Sequence, residues 1–181
     1  MKPVLLDNIF SEKELFFIYK QIMSAPNWQV VGKTSDVEYP SNKQFSDAPV
    51  FRVKDDDSVN HYPLYIYVQS LVFRMAEMLN KKNIGMHTNM KRSWFNLTYQ
   101  ASTNHWMHYD STSPTAQTVL AFITPVWQDA WRGSFYVDGE EFKFKPGSAV
   151  IFNSNEFHSG ETPESQSQNW SRLTLNIVLD Q

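Results

Sequence analysis

Two histidines and one aspartate have the residue types and spacing to hold a metal ion. His108-Tyr109-Asp110 sets an imidazole and a carboxylate two residues apart. In an extended strand, residues i and i+2 point to the same face, so His108 Nε2 and an Asp110 oxygen can reach one ion. Alone the pair is weak, because His-x-Asp arises readily by chance on a surface strand. His158 adds weight. It follows the run Gly147-Ser148-Ala149-Val150-Ile151-Phe152-Asn153, which leaves a Pro146-Gly147 turn. Two imidazoles and one carboxylate can occupy one face of an octahedron around ferrous iron and leave three positions open. The same donors suit zinc. The chain has no cysteine, which excludes thiolate zinc sites, Fe–S clusters, disulfides and cysteine nucleophiles.

Arg172 is a further candidate. Residues 171–179 alternate: Leu173, Leu175, Ile177 and Leu179 take one face, and Arg172, Thr174 and Asn176 the other. An arginine in a central strand requires an anionic partner. That partner is either a structural carboxylate or a ligand carboxylate, gripped by the guanidinium fork with the Thr174 hydroxyl beside it. Trp127 and Trp131 lie in a loop over 125–133 and either pack in the core or wall a substrate pocket. Arg132, next to them, meets an anionic substrate or solvent. His105 lies three before His108, so in a strand it faces away and reads as a loop or supporting residue. His61 and His87 flank a helix and read as surface groups.

The elements that must position these residues change character near residue 90. Ser11-Glu12-Lys13-Glu14 is a capping box, followed by Leu15, Ile18, Tyr19 and Ile22 on one helical face, and Pro26 marks the end. A second helix starts near Pro63, with Leu64, Val68, Leu71, Val72, Met75 and Leu79 as its stripe, and stops at Asn83 and Gly85. Two short strands are expected between the helices, over 28–33 and 50–53, with Asp55-Asp56-Asp57 as a solvated loop. After residue 90, seven short strands are expected over 93–100, 106–111, 118–124, 134–137, 141–145, 149–153 and 172–179. Turn pairs Asp138-Gly139 and Pro146-Gly147 separate several of them. Many short strands behind two helices predict a mainly β fold, a sandwich or jelly roll with helices packed outside one sheet. With 181 residues, one domain over 1–181 is expected, its first 90 residues helical support and 91–181 carrying the metal motif.

Read in order, the motifs resemble the 2-oxoglutarate- and Fe(II)-dependent oxygenase superfamily, and within it the prolyl-4-hydroxylase-like branch. They run Tyr99, His108-x-Asp110, Arg132-Gly133-Ser134-Phe135, Pro146-Gly147-Ser148 entering an apolar strand, His158, then Arg172-x-Thr174. They cover about half of the chain. The resemblance implies a double-stranded β-helix with a metal in its mouth. It implies His108, Asp110 and His158 as iron ligands, and Arg172 with Thr174 on the distal carboxylate of 2-oxoglutarate. Tyr99 would line the cosubstrate pocket, and Trp127, Trp131 and Arg132 the substrate pocket. Fe(II), 2-oxoglutarate and O₂ are the implied cofactors, with ascorbate as a reductant, and no catalytic residue is implied beyond the metal ligands. The implied reaction hydroxylates a C–H bond of a peptide side chain or small molecule. The chain departs from the family pattern in several places, including a His158-to-Arg172 gap of 14, a little longer than usual. Arg132 takes the first place of its Gly-Gly pair, Ser102 replaces a glycine, and residues 120–124 contain no tyrosine.

Two other readings fit a jelly roll. A cupin-type metal enzyme would add a third His and a Glu near the first motif; His105 and His108 are present, but no matching Glu follows. A non-catalytic binding module would keep the barrel with a vestigial site. Net charge −3 and pI near 5.9 exclude a general basic nucleic-acid footprint and weigh against a nucleic-acid partner. No apolar run approaches the roughly 20 residues of a membrane span, and the first residues lack a signal-peptide core, so a cytoplasmic setting is expected.

Overall fold

A computed structural model describes residues 1–26, 28–30, 49–98, 107–164 and 170–181. In chain order the elements are β1 (Val4–Leu6), α1 (Glu12–Met23), β2 (Gln29–Val30), β3 (Pro49–Asp55), β4 (Ser58–Val59) and α2 (Tyr62–Asn80). Then come β5 (Asn89–Thr98), β6 (Gln117–Phe122), a 3-10 turn (Asp129–Trp131), β7 (Phe135–Val137), β8 (Glu140–Phe142), β9 (Ala149–Asn153), β10 (His158–Gly160) and β11 (Arg172–Asp180).

The capping box forms. Glu14 N–H donates to Ser11 Oγ at 3.3 Å, and Ser11 N–H donates back to Glu14 Oε2 at 2.7 Å. Glu14 also receives Arg74 Nη2 of α2 at 3.0 Å, which ties the two helices. α2 begins with Pro63 in its first turn and His61 as its cap, whose Nδ1 accepts Leu64 N–H at 3.3 Å. His61 is therefore a helix cap that leans on Phe51, with ring centroids 5.7 Å apart, and is not merely a surface group.

Eight strands form one antiparallel sheet in the order β1-β9-β6-β11-β5-β3-β2, with β4 on β3. A second sheet of three strands runs β10-β7-β8. Strand alternation gives the large sheet two faces. One buries Leu173, Leu175, Ile177 and Leu179 of β11 and Val119 and Ala121 of β6 under Leu15, Ile18 and Ile22 of α1 and Val68, Leu71, Val72 and Met75 of α2. The other packs Leu120, Phe122, Val150 and Phe152 against Phe135 and Val137 of the small sheet. This is the expected jelly roll, with helices outside one sheet and the site between the sheets.

Three short strands carry no clear sequence signal. β10 is His-Ser-Gly and lacks β-branched residues; it is a strand because His158 pairs with Val137 and Gly160 with Phe135. β1 pairs Val4 with Ile151 across most of the chain, and β4 is a two-residue return onto β3 around the Asp55–Asp57 turn. The strand expected over 106–111 is not formed where described: residues 107–111 make an isolated bridge, His108 to His158. Parts of the expected 28–33 and 93–100 strands lie outside the described residues. Among those described, no helix is long and apolar enough to cross a membrane.

Candidate metal centre

His108, Asp110 and His158 converge although no strand carries the first two. Backbone pairing brings them together. His108 N–H donates to His158 O at 3.0 Å and His158 N–H returns to His108 O at 2.9 Å. Asp110 N–H and Ser111 N–H both donate to Ser154 O, at 2.9 and 3.1 Å. Arg92 Nη2 donates to the Asp110 carbonyl from β5. The 108–111 segment is thus pinned by backbone hydrogen bonds to Ser154 and His158.

The side-chain geometry suits one divalent ion. Asp110 Oδ1 is 4.0 Å from His108 Nε2, and Oδ2 is 3.5 Å from His158 Nε2. The three donor atoms lie within 4.8 Å of one another. Two donors each bound at about 2.0–2.2 Å can stand no more than about 4.4 Å apart; each imidazole meets that limit to one Asp110 oxygen, His108 to Oδ1 and His158 to Oδ2. His158 Nδ1 sits 3.0 Å from Glu156 O; donation there leaves the Nε2 lone pair for a metal. Burial pushes the His158 pKa down, toward the neutral imidazole that a metal requires, against the opposing pull of Asp110. Thr118 Oγ1 donates to Asp110 Oδ2 at 2.9 Å and contacts Ser154 Oγ at 2.8 Å, which orients the carboxylate.

On the same face of β11 stand Arg172, 2% exposed, and Thr174, 1% exposed. Arg172 Nε donates to Gly133 O at 2.8 Å. Its Nη2 is buried and has no hydrogen-bond partner among the described residues. Burial lowers the Arg172 pKa to about 10, with the charge of Glu161 opposing the shift, so the guanidinium is cationic at neutral pH. Thr98 pairs directly with Arg172 across β5, and its Oγ1 is also buried and unpartnered among the described residues. A charged donor and a hydroxyl left open on one face fit an incoming carboxylate. Thr174 Oγ1 accepts Asn176 Nδ2 at 3.4 Å.

Tyr99, His105 and Trp106 lie outside the described residues. Trp131 is buried and meets Trp127 edge to face, with centroids 5.5 Å apart. Trp127 packs on Phe144 and lines a cavity of about 320 Å³ with Arg132, Tyr136, Lys143 and Glu161. Arg132 is held by Glu164 at 2.9 Å and stands 3.8 Å from Glu161, so both solvent and carboxylates surround it. Its φ of 57° is a conformation that favours glycine, the residue the family pattern places there. Sequence reasoning missed Thr98, Thr118, Ser154, Arg92 and Glu161. The signal available for Thr118 was a hydroxyl opening an otherwise apolar strand.

No protein-family model matches this sequence, and no curated protein does. Solved structures do match. A Pseudomonas putida prolyl-4-hydroxylase superposes with TM-score 0.67 at 13% identity, over 99% of this chain and 92% of that one. The Trichoplax adhaerens prolyl hydroxylase, solved with a hypoxia-inducible-factor oxygen-degradation-domain peptide, gives 0.65 at 13% over 98% and 83%. The fold is that of the 2-oxoglutarate- and Fe(II)-dependent oxygenases. A Burkholderia pseudomallei oxidoreductase of that oxygenase family gives 0.65 at 16% identity, over 98% of this chain and 84% of its own. In this fold the present chain holds its His-Asp-His cluster beside β10 and its buried Arg172 at the start of β11.

Proposed function

We propose that this protein is an Fe(II)- and 2-oxoglutarate-dependent dioxygenase that hydroxylates a C–H bond of a peptide side chain or small molecule. The observation that carries the reading is the presence, in one fold, of a His-Asp-His cluster and of a buried arginine whose Nη2 has no partner among the described residues. A jelly roll that merely binds a metal has no use for a desolvated guanidinium with an open donor.

In this reading His108, Asp110 and His158 hold the iron, which supplies oxygen activation when it is bound. Thr118 and Glu156 O fix the Asp110 carboxylate and the His158 ring, so these two donors need little rearrangement. Arg172 takes the distal carboxylate of 2-oxoglutarate, with Thr174 and Thr98 as neighbouring hydroxyls on that face. Phe135 and Phe152 flank the His158 ring at 5.6 and 4.8 Å and keep water from that side of the cluster. Tyr99 is proposed to line the cosubstrate pocket, and Trp127, Trp131 and Arg132 to border the substrate. The peptide in the Trichoplax structure supports a protein side chain as one substrate class.

The test is uncoupled turnover. With Fe(II), ascorbate and O₂, the protein converts 2-oxoglutarate to succinate and CO₂. Asp110→Ala abolishes that conversion while thermal unfolding stays cooperative, because the carboxylate lines the site and does not fill the apolar core. No succinate from the iron-loaded wild-type chain would overturn the reading in favour of a metal-binding jelly roll.

A further inference from the structure

We propose, resting on the oxygenase reading, that Glu161 is the positioning residue for Arg172, and that with Gly133 and Gly160 it sets the length of the 2-oxo dicarboxylate the site takes. Glu161 Oε2 accepts Gly133 N–H at 3.1 Å and Ser134 N–H at 3.2 Å. Its own N–H donates to Ser134 O at 2.8 Å. The 133–134 turn is therefore held by Glu161 from both side chain and backbone. That turn presents Gly133 O to Arg172 Nε at 2.8 Å. One carboxylate thus aims the guanidinium through one peptide unit.

Two glycines, Gly133 and Gly160, form part of the slot around the arginine. A Cβ on Gly160 would lie 3.3 Å from Arg172 Nη2 and 3.4 Å from Nη1. A Cβ on Gly133 would lie 2.9 Å from Trp127 Cζ2 and 3.2 Å from Arg172 Cδ, at a φ of +83°. The Phe144 ring centroid stands 5.7 Å from Arg172 Cζ. The guanidinium consequently has little room to swing.

The indirect contact has a chemical consequence. A carboxylate bonded to the guanidinium itself would occupy the fork that a ligand carboxylate needs. Glu161 acts from the far side of a turn: it lends compensating charge in a buried site and leaves Nη2 open. It also sits three residues past His158, just beyond β10. One short strand thereby links a proposed metal ligand to the anchor of the cosubstrate's far end. A rigid span of that kind discriminates between 2-oxo dicarboxylates that differ by one methylene.

The test is calorimetric binding of 2-oxoglutarate and 2-oxoadipate to the Mn(II)-loaded full chain. The wild type prefers 2-oxoglutarate. Glu161→Ala weakens 2-oxoglutarate about tenfold, equivalent to about 1.4 kcal/mol, and narrows the preference over 2-oxoadipate, with Mn(II) affinity unchanged. Glu161→Gln, which keeps an acceptor oxygen for the turn, recovers part of the loss. Gly160→Ala provides a second route, since it leaves Glu161 intact and pushes the guanidinium directly; it produces the same selective loss. Unchanged 2-oxoglutarate affinity in both Glu161→Ala and Gly160→Ala, with the wild type binding, overturns the positioning role alone. Parallel loss of Mn(II) and 2-oxoglutarate also overturns it, as general damage. A wild type that binds Mn(II) but not 2-oxoglutarate overturns the oxygenase reading, and this inference with it.

Discussion

Burying a guanidinium costs several kcal/mol unless its donors are met, and at Arg172 only part of the fork is met by Gly133 O. The arrangement makes sense as a receptor for a carboxylate. Each charge-assisted hydrogen bond lost there is worth about 1.5–3 kcal/mol. Arg172→Leu is therefore expected to raise the KM for 2-oxoglutarate by about a hundredfold or more, at 1.4 kcal/mol per tenfold. Metal affinity should stay the same, since no donor to the ion is touched. Arg172→Lys should be milder, keeping the charge and losing the fork. Steady-state kinetics at varied 2-oxoglutarate, with a Mn(II) titration of each variant, reads both. The residues that carry this chemistry were legible in the sequence because His, Asp and Arg are uncommon at alternating or post-turn strand positions. Their supports were not. Thr118, Ser154 and Glu161 are ordinary residue types whose roles depend on pairings formed only in the fold, such as Thr118 with Phe152 on β9.

At the scale of elements, β6 reaches the centre through a single hydroxyl. Thr118→Val keeps the shape of the strand and removes the donor to Asp110 Oδ2. Loss of such an outer contact lowers metal affinity about 10–100-fold, which a competitive chelator titration measures. The helical layer carries its own test. Hydrogen bonds from Ser11 and Arg74 hold the Glu14 carboxyl below its usual pKa. A carboxylate with a lowered folded-state pKa adds stability above its unfolded pKa of about 4.3, and that stability is lost as pH falls through the folded value. Glu14→Gln should therefore flatten the decline of Tm on acidification below about pH 5, while lowering Tm at pH 7. The turn at 132–133 offers the opposite outcome. A non-glycine residue at the φ of Arg132 costs about 1–3 kcal/mol, and its exposed ion pair with Glu164 returns about 0–1 kcal/mol. Arg132→Gly should raise Tm by about 2–4 °C for each kcal/mol of net relief; an unchanged or lower Tm would mean that the ion pairs outweigh the strain.

At the scale of the molecule, the large sheet separates two tasks. Its helix-facing side is mostly apolar, with Ser93 and Gln117 as buried polar residues on it, and α1 and α2 pack on it. Its other side is divided: Leu120, Phe122, Val150 and Phe152 close against the small sheet, while Arg172, Thr174 and Asn176 form a buried polar stripe. The alternation of residues 172–179 and the two helical stripes make that division readable in the sequence. The small sheet is harder to read, because β7, β8 and β10 have three residues each and β10 is polar. Such strands are specified by their partners and leave little period of their own. A crystal structure of the full chain with Mn(II) and 2-oxoglutarate under anaerobic conditions decides whether the cluster and Arg172 form one site. One ion is expected, bonded to His108 Nε2, an Asp110 oxygen and His158 Nε2 at about 2.0–2.2 Å, as for divalent metals with such donors, with the distal carboxylate of 2-oxoglutarate on Arg172. An ion that leaves His108 or His158 unbound, or a cosubstrate carboxylate held away from Arg172, would contradict this arrangement.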